Sequence, residues 1–400
     1  MGGIYADRRS GSRVILSPEC QTDPREWNAL CASRVFLMHI AFVCIKFYFD
    51  AHSLSKCVYT AMKILSHSRP AHVAYQDLLR LHLDDQASRL IGTVEERRRN
   101  GRTYLYERFR LGSEMKSRYL GEDLPDLRER LERASVLKAE ADERAKRMSR
   151  LVRTLRAEGF ITTDRETGSM LLAFSKAGVF RLGGTLVGTS AYALYQGELG
   201  VRMDYEELAQ TGDVDFASFE RLSLAIEDKV DTDPGTILAS LKFDPVPGIF
   251  DRQVWRWRQS SGEAMVEFLT PAFGNETVKP LPALGVSAQA LNYLNFLIAE
   301  PIKAVALYRS GVLVQIPRPE RFAIHKLIVA DRRREGPDQL KARKDRAQAK
   351  FLVSVLAEDR PDDLAEAYAN ARSRGPRWRE RIDNSLTVMP ETANRLSSVI

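Results

Sequence analysis

Hydrophobic and polar positions alternate with different periods along the chain, and the period separates helical from extended segments. Apolar residues at helical spacing predict a short amphipathic helix over 74–81, and one long or two shorter helices over 125–159. Between them, residues 101–110 alternate with a period of two, as strands do, and 115–120 can pair with them across the Gly112 turn. This part of the chain is therefore predicted to form a hairpin flanked by helices.

A second group of short apolar runs begins near residue 174. We expect helical character over 177–182, a short strand over 185–187 and a helix over 191–199. Two further strand-like runs, 213–216 and 265–269, each place acidic residues among apolar ones. Alternating strands and helices of this kind predict a mixed sheet with helices packed on it.

Trp255 and Trp257 alternate with Arg256 and Arg258, which predicts another strand. We interpret the tryptophans as core residues and the arginines as a basic outer face, because successive strand residues point to opposite sides.

The last hundred residues are predicted to be mainly helical. Two short strands within 304–316 enclose Ser310-Gly311. The expected helices after Pro317 span 321–334, 341–356, 361–372 and 376–396. Together they predict a C-terminal helical bundle, which completes an α+β chain.

Composition narrows the possible chemistry. The 400 residues carry a net charge of +7, with 44% hydrophobic and 28% charged residues, which is typical of a folded globular protein. All four cysteines lie in the first 57 residues, and His325 is the only histidine after residue 82. The later part of the chain therefore cannot hold a Cys/His zinc site or a thiol nucleophile. Its chemistry must use carboxylates, lysines, hydroxyls and backbone amides.

The first 61 residues differ in composition from the rest. Their apolar stretch, 35–49, is shorter than the roughly 20 residues of a membrane helix, and His39 and Lys46 interrupt it. We expect no membrane anchor, no signal peptide and a cytoplasmic location. The break in composition favours the hypothesis that translation begins at Met62, which the intact mass of the natively expressed protein would test.

Gly188-Thr189-Ser190 separates the predicted strand 185–187 from the helix that follows. A strand that runs through a glycine turn into a helix N-terminus presents backbone amides to an anion. The segment is not a Walker loop, because Thr189 stands where that motif requires lysine.

Three acids in strand-like runs predict a metal site. Asp213 and Asp215 have the i, i+2 spacing that places two side chains on one face of a strand. Such close carboxylates repel unless a cation lies between them, and Mg2+ suits an all-oxygen site that also holds phosphates. Glu267 offers a third carboxylate, and three acids can hold two metal ions for in-line phosphoryl transfer.

The turn 188–190, the acids Asp213 and Asp215 and the later Glu267 resemble, in this order, the DNA polymerase beta-like nucleotidyltransferase superfamily. The segments LVGTSAYALYQGELG, TGDVDFA and RFAIHKLIVADRRR resemble a bacterial group of uncharacterised nucleotidyltransferase-fold proteins, and more distantly the nucleotidyltransferases of type IV toxin–antitoxin systems. The resemblance implies a mixed sheet flanked by helices. We divide the chain into an extension (1–61), an accessory hairpin and helices (62–160), a nucleotidyltransferase core (161–300) and a C-terminal hairpin and helices (301–400).

The resemblance also implies roles for individual residues. Asp213 and Asp215 would bind both Mg2+ ions, and Glu267 would bind one and help to activate the acceptor hydroxyl. Gly188, Thr189 and Ser190 would cradle the triphosphate of an NTP. On the C-terminal helices Lys326 could reach a phosphate, and Lys344 could contact phosphate or form a surface ion pair. His325 could be a catalytic or a buried, hydrogen-bonded histidine.

Two functions fit these features. The first is a Mg2+-dependent transfer of a nucleoside monophosphate from an NTP to a hydroxyl of RNA or protein, with release of pyrophosphate. The alternative is an inactive protein of the same fold that binds nucleotide or nucleic acid, as a toxin–antitoxin component. Retention of three partly buried acids favours the first, since unpaired buried charges are costly.

Overall fold

The structure is a computed structural model that describes residues 64–89, 92–99, 101–111, 114–203, 213–219, 228–248, 253–335 and 338–400, with the backbone of 5–6 and 13–14. The chain forms two compact units, Met1–Lys63 and Ile64–Ile400. In the first unit, β1 (Tyr5–Ala6) pairs antiparallel with β2 (Arg13–Val14). The apolar stretch 35–49 and Met62 lie outside the described residues. In the described part, no helix has the length and apolarity needed to cross a membrane.

The second unit begins with helix α1 (Arg69–Ser88), which is longer than the predicted segment 74–81. Its start is fixed by Ser68, whose Oγ accepts a hydrogen bond from the Ala71 amide, and by Pro70 in the first turn. Both signals lie upstream of the amphipathic pattern, which explains why the pattern alone placed the start too late.

An antiparallel sheet follows, with strands β3 (Thr93–Arg99), β4 (Arg102–Leu111) and β5 (Glu114–Glu122). It confirms the predicted hairpin. β3 was not predicted, because its sequence TVEERRR has no alternation of apolar and polar residues. The charged segment that follows forms three helices instead of one or two: α2 (Pro125–Glu132), α3 (Ala134–Ala139) and α4 (Ala141–Ala157).

Helix α5 (Arg165–Ala177) leads into the central sheet, and it ends where helical character was predicted to begin. Asp164 caps its start by accepting hydrogen bonds from the Glu166 and Thr167 amides. Gly178 ends the helix in the left-handed conformation, with φ of 88°. The prediction over 177–182 was therefore wrong, because that segment forms turns.

The central sheet is mixed. In the described residues it contains β6 (Thr185–Val187), β7 (Asp213–Ala217), β8 (Phe243–Pro247), β9 (Val254–Gln259), β10 (Met265–Pro271), β11 (Val278–Leu281) and β12 (Val286–Leu291). Its order is β11-β12-β10-β7-β6, with β9 also paired to β10 and β8 paired to β9. β10 runs parallel to β7 and β12 and antiparallel to β9. The predicted strands 185–187, 213–216 and 265–269 are confirmed.

Short helices connect these strands. The predicted helix 191–199 is two helices, α6 (Gly188–Tyr192) and α7 (Tyr195–Leu199), and the first begins at the glycine turn itself. After β7 comes α8 (Pro234–Ser240), and after β12 comes α9 (Leu294–Leu297).

The C-terminal part opens with the predicted hairpin, β13 (Ile302–Ala306) and β14 (Val312–Ile316). The helices that follow are α10 (Pro319–Arg332), α11 (Gln339–Asp359), α12 (Pro361–Ser373), α13 (Pro376–Thr387) and α14 (Pro390–Ser397). The predicted helix 376–396 is thus two helices, because Pro390 cannot continue α13 and instead starts α14. The predicted α+β class, with a mixed sheet flanked by helices and a helical C-terminal part, is confirmed.

One face of the central sheet forms an aromatic core. Phe174 of α5 packs against Phe216 of β7 and Phe268 of β10, with ring centroids 5.0 and 6.1 Å away. Trp257 of β9 meets Phe268 edge to face at 5.3 Å. Because strand residues alternate between faces, these rings fix which neighbouring side chains point to the opposite face.

Candidate active site

The sheet register brings two of the predicted acids together. In the parallel pair β7–β10, Asp215 lies directly opposite Glu267. In the antiparallel pair β6–β7, Asp215 lies opposite Val187, the residue before Gly188. The glycine turn, Asp215 and Glu267 therefore form one row across three neighbouring strands, although 79 positions of sequence separate Gly188 from Glu267. We call this row, with the strand face that it occupies, the acid face.

Buried neighbours hold the acids on this face. Val214 and Phe216 flank Asp215 and are 5% and 1% exposed, while Val266 and Phe268 flank Glu267 and are both fully buried. Turning either strand over would expose these apolar side chains and bury a carboxylate, which is unfavourable on both counts. Asp215 and Glu267 are themselves half-buried.

Gly188 lies at the end of the row, in a conformation that favours glycine. Its φ is +67°, a conformation that strains any residue with a side chain. A Cβ atom at this position would lie 2.6 Å from Oδ2 of Asp215. The turn therefore brings the peptide backbone against the carboxylate, so a group bound at the first amides of α6 would lie beside Asp215.

The row offers oxygen ligands on neighbouring strands. Asp215 and Glu267 face each other across β7 and β10, whose spacing is about 5 Å. Two carboxylates in this arrangement could share a divalent ion, and Mg2+ prefers oxygen ligands of this kind. Asp213 is two residues before Asp215 on the same strand, but its side chain lies outside the described residues. The described His, Cys, Asp and Glu side chains include no cluster of three that could hold a metal.

Thr189 and Ser190 line a cavity of about 90 Å3. Other walls of the cavity come from Leu186, Val214 and the loop 161–164. Leu186 and Val214 alternate with Val187 and Asp215 along their strands, so this cavity opens towards the core side of the sheet. The turn thus has the acid face on one side and the cavity on the other.

Lys326 lies in a buried ion pair on the C-terminal helices. Its Nζ donates to Oδ1 of Asp345 at 2.6 Å, and Arg333 donates to the other carboxylate oxygen at 2.7 Å. Burial alone would raise the pKa of Asp345, but the charges of Lys326 and Arg333 hold it below its ordinary value. This pair links α10 to α11, and a contact between Lys326 and phosphate stays a prediction.

The neighbouring His325 and Lys344 lie on these same two helices. Burial, together with the positive charge of Lys326, lowers the pKa of His325 to about 3, so the ring is neutral at pH 7. Lys344 is half-buried, one residue before Asp345. Asp345 forms its ion pair with Lys326 of the neighbouring helix. A contact between Lys344 and phosphate stays a prediction.

Sequence reasoning missed one neighbour of the acids. β9 pairs antiparallel with β10, and this register places Arg256 directly opposite Glu267 and Arg258 opposite Met265. Arg256 therefore continues the row beyond Glu267, on the same face. The alternation with Trp255 and Trp257 correctly indicated an outer basic face, but the pairing of β9 with β10 could not be read from it.

The comparisons with known proteins give one finding. A protein-family model described as nucleotidyltransferase matches residues 165–373, just over half of the chain. The match covers α5, the acid face and the C-terminal helices as far as α12. No curated protein and no solved structure matches the chain significantly.

Proposed function

The chain belongs to the nucleotidyltransferase family, and from that premise we propose that it transfers a nucleoside monophosphate from an NTP to a hydroxyl of RNA or protein. One observation carries the proposal: Asp215 of β7 lies opposite Glu267 of β10 and opposite Val187 of β6, the residue before the Gly188 turn. A phosphate-binding turn and metal-binding acids must be adjacent for this reaction. A cytoplasmic location, where NTPs are available, is part of the proposal, as is the narrower likeness to the bacterial group and to type IV toxin–antitoxin nucleotidyltransferases.

The turn and the acids would have different roles, phosphate binding and metal binding. The backbone around Gly188, Thr189 and Ser190 would bind the triphosphate through amide groups that point at the phosphate oxygens. Asp215 and Glu267, with Asp213, would hold two Mg2+ ions, which when bound would neutralise charge on the phosphates and lower the pKa of the attacking hydroxyl.

The transfer makes one bond to the α-phosphorus and breaks another. The acceptor oxygen attacks the α-phosphorus and forms a new O–P bond, while its proton passes to a carboxylate oxygen of Glu267. The bond between the α-phosphorus and the oxygen that leads to the β-phosphate breaks, and pyrophosphate leaves with that electron pair. The turn at Gly188 holds the leaving group in line, so that positioning and electrostatics provide most of the catalysis.

Incubation with each labelled NTP, Mg2+ and either bulk RNA or protein tests the proposal. We expect label on one acceptor class with the wild-type chain and none with Asp213→Ala or Asp215→Ala. The matched control is Asp142→Ala, which removes an exposed acid from the first turn of α4, outside the central sheet. Absence of transfer with every NTP, together with nucleotide binding that is unchanged in the acid variants, would instead support an inactive binding protein.

A further inference from the structure

Two arginines extend the acid face on the side away from the glycine turn. Arg256 is the register partner of Glu267, and Arg258 is the partner of Met265. Paired residues of neighbouring strands project to the same face, so both arginines share the face of Asp215 and Glu267. Trp257, between them, is 5% exposed and packs on Phe268, which anchors β9 in this orientation.

The order of the row assigns a direction to the reaction. From β6 to β9 it runs Val187 (followed by the Gly188 turn), Asp215, Glu267 and Arg256, with about 5 Å between neighbouring strands. In an in-line displacement the attacking and leaving oxygens lie on opposite sides of the phosphorus. If pyrophosphate leaves at the Gly188 turn, the acceptor must approach from the side of Glu267 and Arg256.

We propose that Arg256, supported by Arg258, binds phosphate groups of the acceptor, and that the acceptor is RNA. This inference rests on the function proposed above. Guanidinium groups recognise phosphate with paired hydrogen bonds, whereas a protein hydroxyl brings no obligatory anion to the reaction. The two arginines are two residues apart on β9, or about 7 Å, so they can contact neighbouring phosphates of one RNA strand that runs along β9 on the acid face.

Each arginine faces one acid across the strands. Asp244 of β8 lies opposite Arg258, and Glu267 of β10 lies opposite Arg256. A guanidinium group carries five N–H donors, so each arginine keeps donors for phosphate beyond those that one carboxylate can accept. Cζ of Arg256 lies 5.1 Å from the centroid of the Trp255 ring, and Arg256 is half-buried. Stacking of this kind restrains the guanidinium and leaves its edge available for hydrogen bonds.

The test measures RNA binding without chemistry. A labelled, short single-stranded RNA with a free 3′ hydroxyl is titrated with full-length protein in EDTA and without NTP, and binding is followed by fluorescence anisotropy. We expect the double variant Arg256→Ala/Arg258→Ala to raise the Kd at least about tenfold, since two charge-assisted contacts are lost. The slope of log K against log salt concentration should fall by about 1.4 for two single-strand phosphate contacts.

Controls separate a specific loss from general damage. Arg98→Ala removes an exposed strand arginine from β3, in the separate accessory sheet, and should leave RNA binding unchanged. Arg256→Lys/Arg258→Lys keeps the charge and should restore most of the affinity. The KM for NTP should be the same in all of these variants.

Three results would overturn the inference: equal RNA affinity in the wild type and the double alanine variant, a raised KM for NTP with unchanged RNA affinity, or transfer to a protein that excess RNA does not inhibit. Failure of the proposed function is distinguishable from these. If the wild type transfers nothing but its RNA affinity still depends on Arg256 and Arg258, the binding surface is supported and the proposed transfer is not.

Discussion

Substitution of Gly188 by alanine tests the geometry of the acid face with one methyl group. The new Cβ would lie 2.6 Å from Oδ2 of Asp215, whereas ordinary contacts begin near 3.4 Å. The carboxylate or the turn must therefore move by about 0.8 Å. Gly188→Ala also places a side chain at φ of +67°, which costs about 1–2 kcal/mol of folding free energy.

These two effects predict different consequences for folding and for activity. A stability loss of 1–2 kcal/mol leaves most domains folded at 25 °C, because typical unfolding free energies are about 5–15 kcal/mol. A displacement near 1 Å in a reacting constellation can cost about 10²-fold in rate. We therefore expect Gly188→Ala to fold, to unfold at a slightly lower urea concentration and to lose about two orders of magnitude in kcat for nucleotide transfer.

Gly101→Ala is the matched control. Gly101 also has a positive φ, of +77°, but a Cβ there would meet nothing within 4 Å. It should show a similar loss of stability in urea denaturation and unchanged transfer. Wild-type activity in Gly188→Ala would refute the idea that the turn and Asp215 share one site, and equal losses in both variants would show that backbone strain alone explains the effect.

The acids, His67 and the ion pair of Lys326 with Asp345 can each be tested by a separate substitution. Asp215→Asn and Glu267→Gln should each lower transfer by about two orders of magnitude, and EDTA should stop wild-type transfer until Mg2+ is added back; Mg2+-independent transfer would contradict this. Burial lowers the pKa of His67 from 6.5 to about 4, so the unfolded chain binds this proton first as the pH falls. The free energy of unfolding of the wild type should fall between pH 6.5 and 4 by at most about 3 kcal/mol, and that of His67→Phe should fall by less. If urea denaturation shows the same pH dependence for the wild type and His67→Phe, this prediction is wrong. Lys326→Met should lower the free energy of unfolding by about 3 kcal/mol, because it removes one partner of the buried Asp345, and an unchanged urea midpoint would contradict this.

Much of the fold follows from local patterns in the sequence. The strands that contain Asp215 and Glu267 were predicted because apolar residues alternate around each acid, and the hairpin around Gly311 was predicted from two apolar runs. The errors concern the ends and number of helices and the strand β3, whose sequence does not alternate. Asp164 and Gly178 fix the ends of α5 through hydrogen bonds and backbone geometry, which apolar periodicity does not report.

The site was only partly predictable, for a physical reason. Spacing within β7 places Asp213 and Asp215 on one face, but spacing does not determine which strand lies beside which. Glu267 faces Asp215, and Arg256 faces Glu267, because of the order of the strands in the sheet. This order is set by long-range packing of rings such as Phe216, Phe268 and Trp257. Lys326 is a similar case. The sequence places this lysine on a helix, but it does not show that Asp345 of the next helix is its partner.

The position of the label in the nucleotide shows which phosphorus atom the acceptor attacks. The wild-type chain is given NTP labelled either at the α-phosphate or at the γ-phosphate, with Mg2+ and RNA, and the RNA is then isolated. Attack at the α-phosphorus predicts that α-label appears on RNA, that γ-label is released as pyrophosphate and that Asp215→Asn shows neither. Transfer of γ-label to RNA would contradict attack at the α-phosphorus. Transfer of α-label by Asp215→Asn at the wild-type rate would contradict the assignment of Asp215 to the active site.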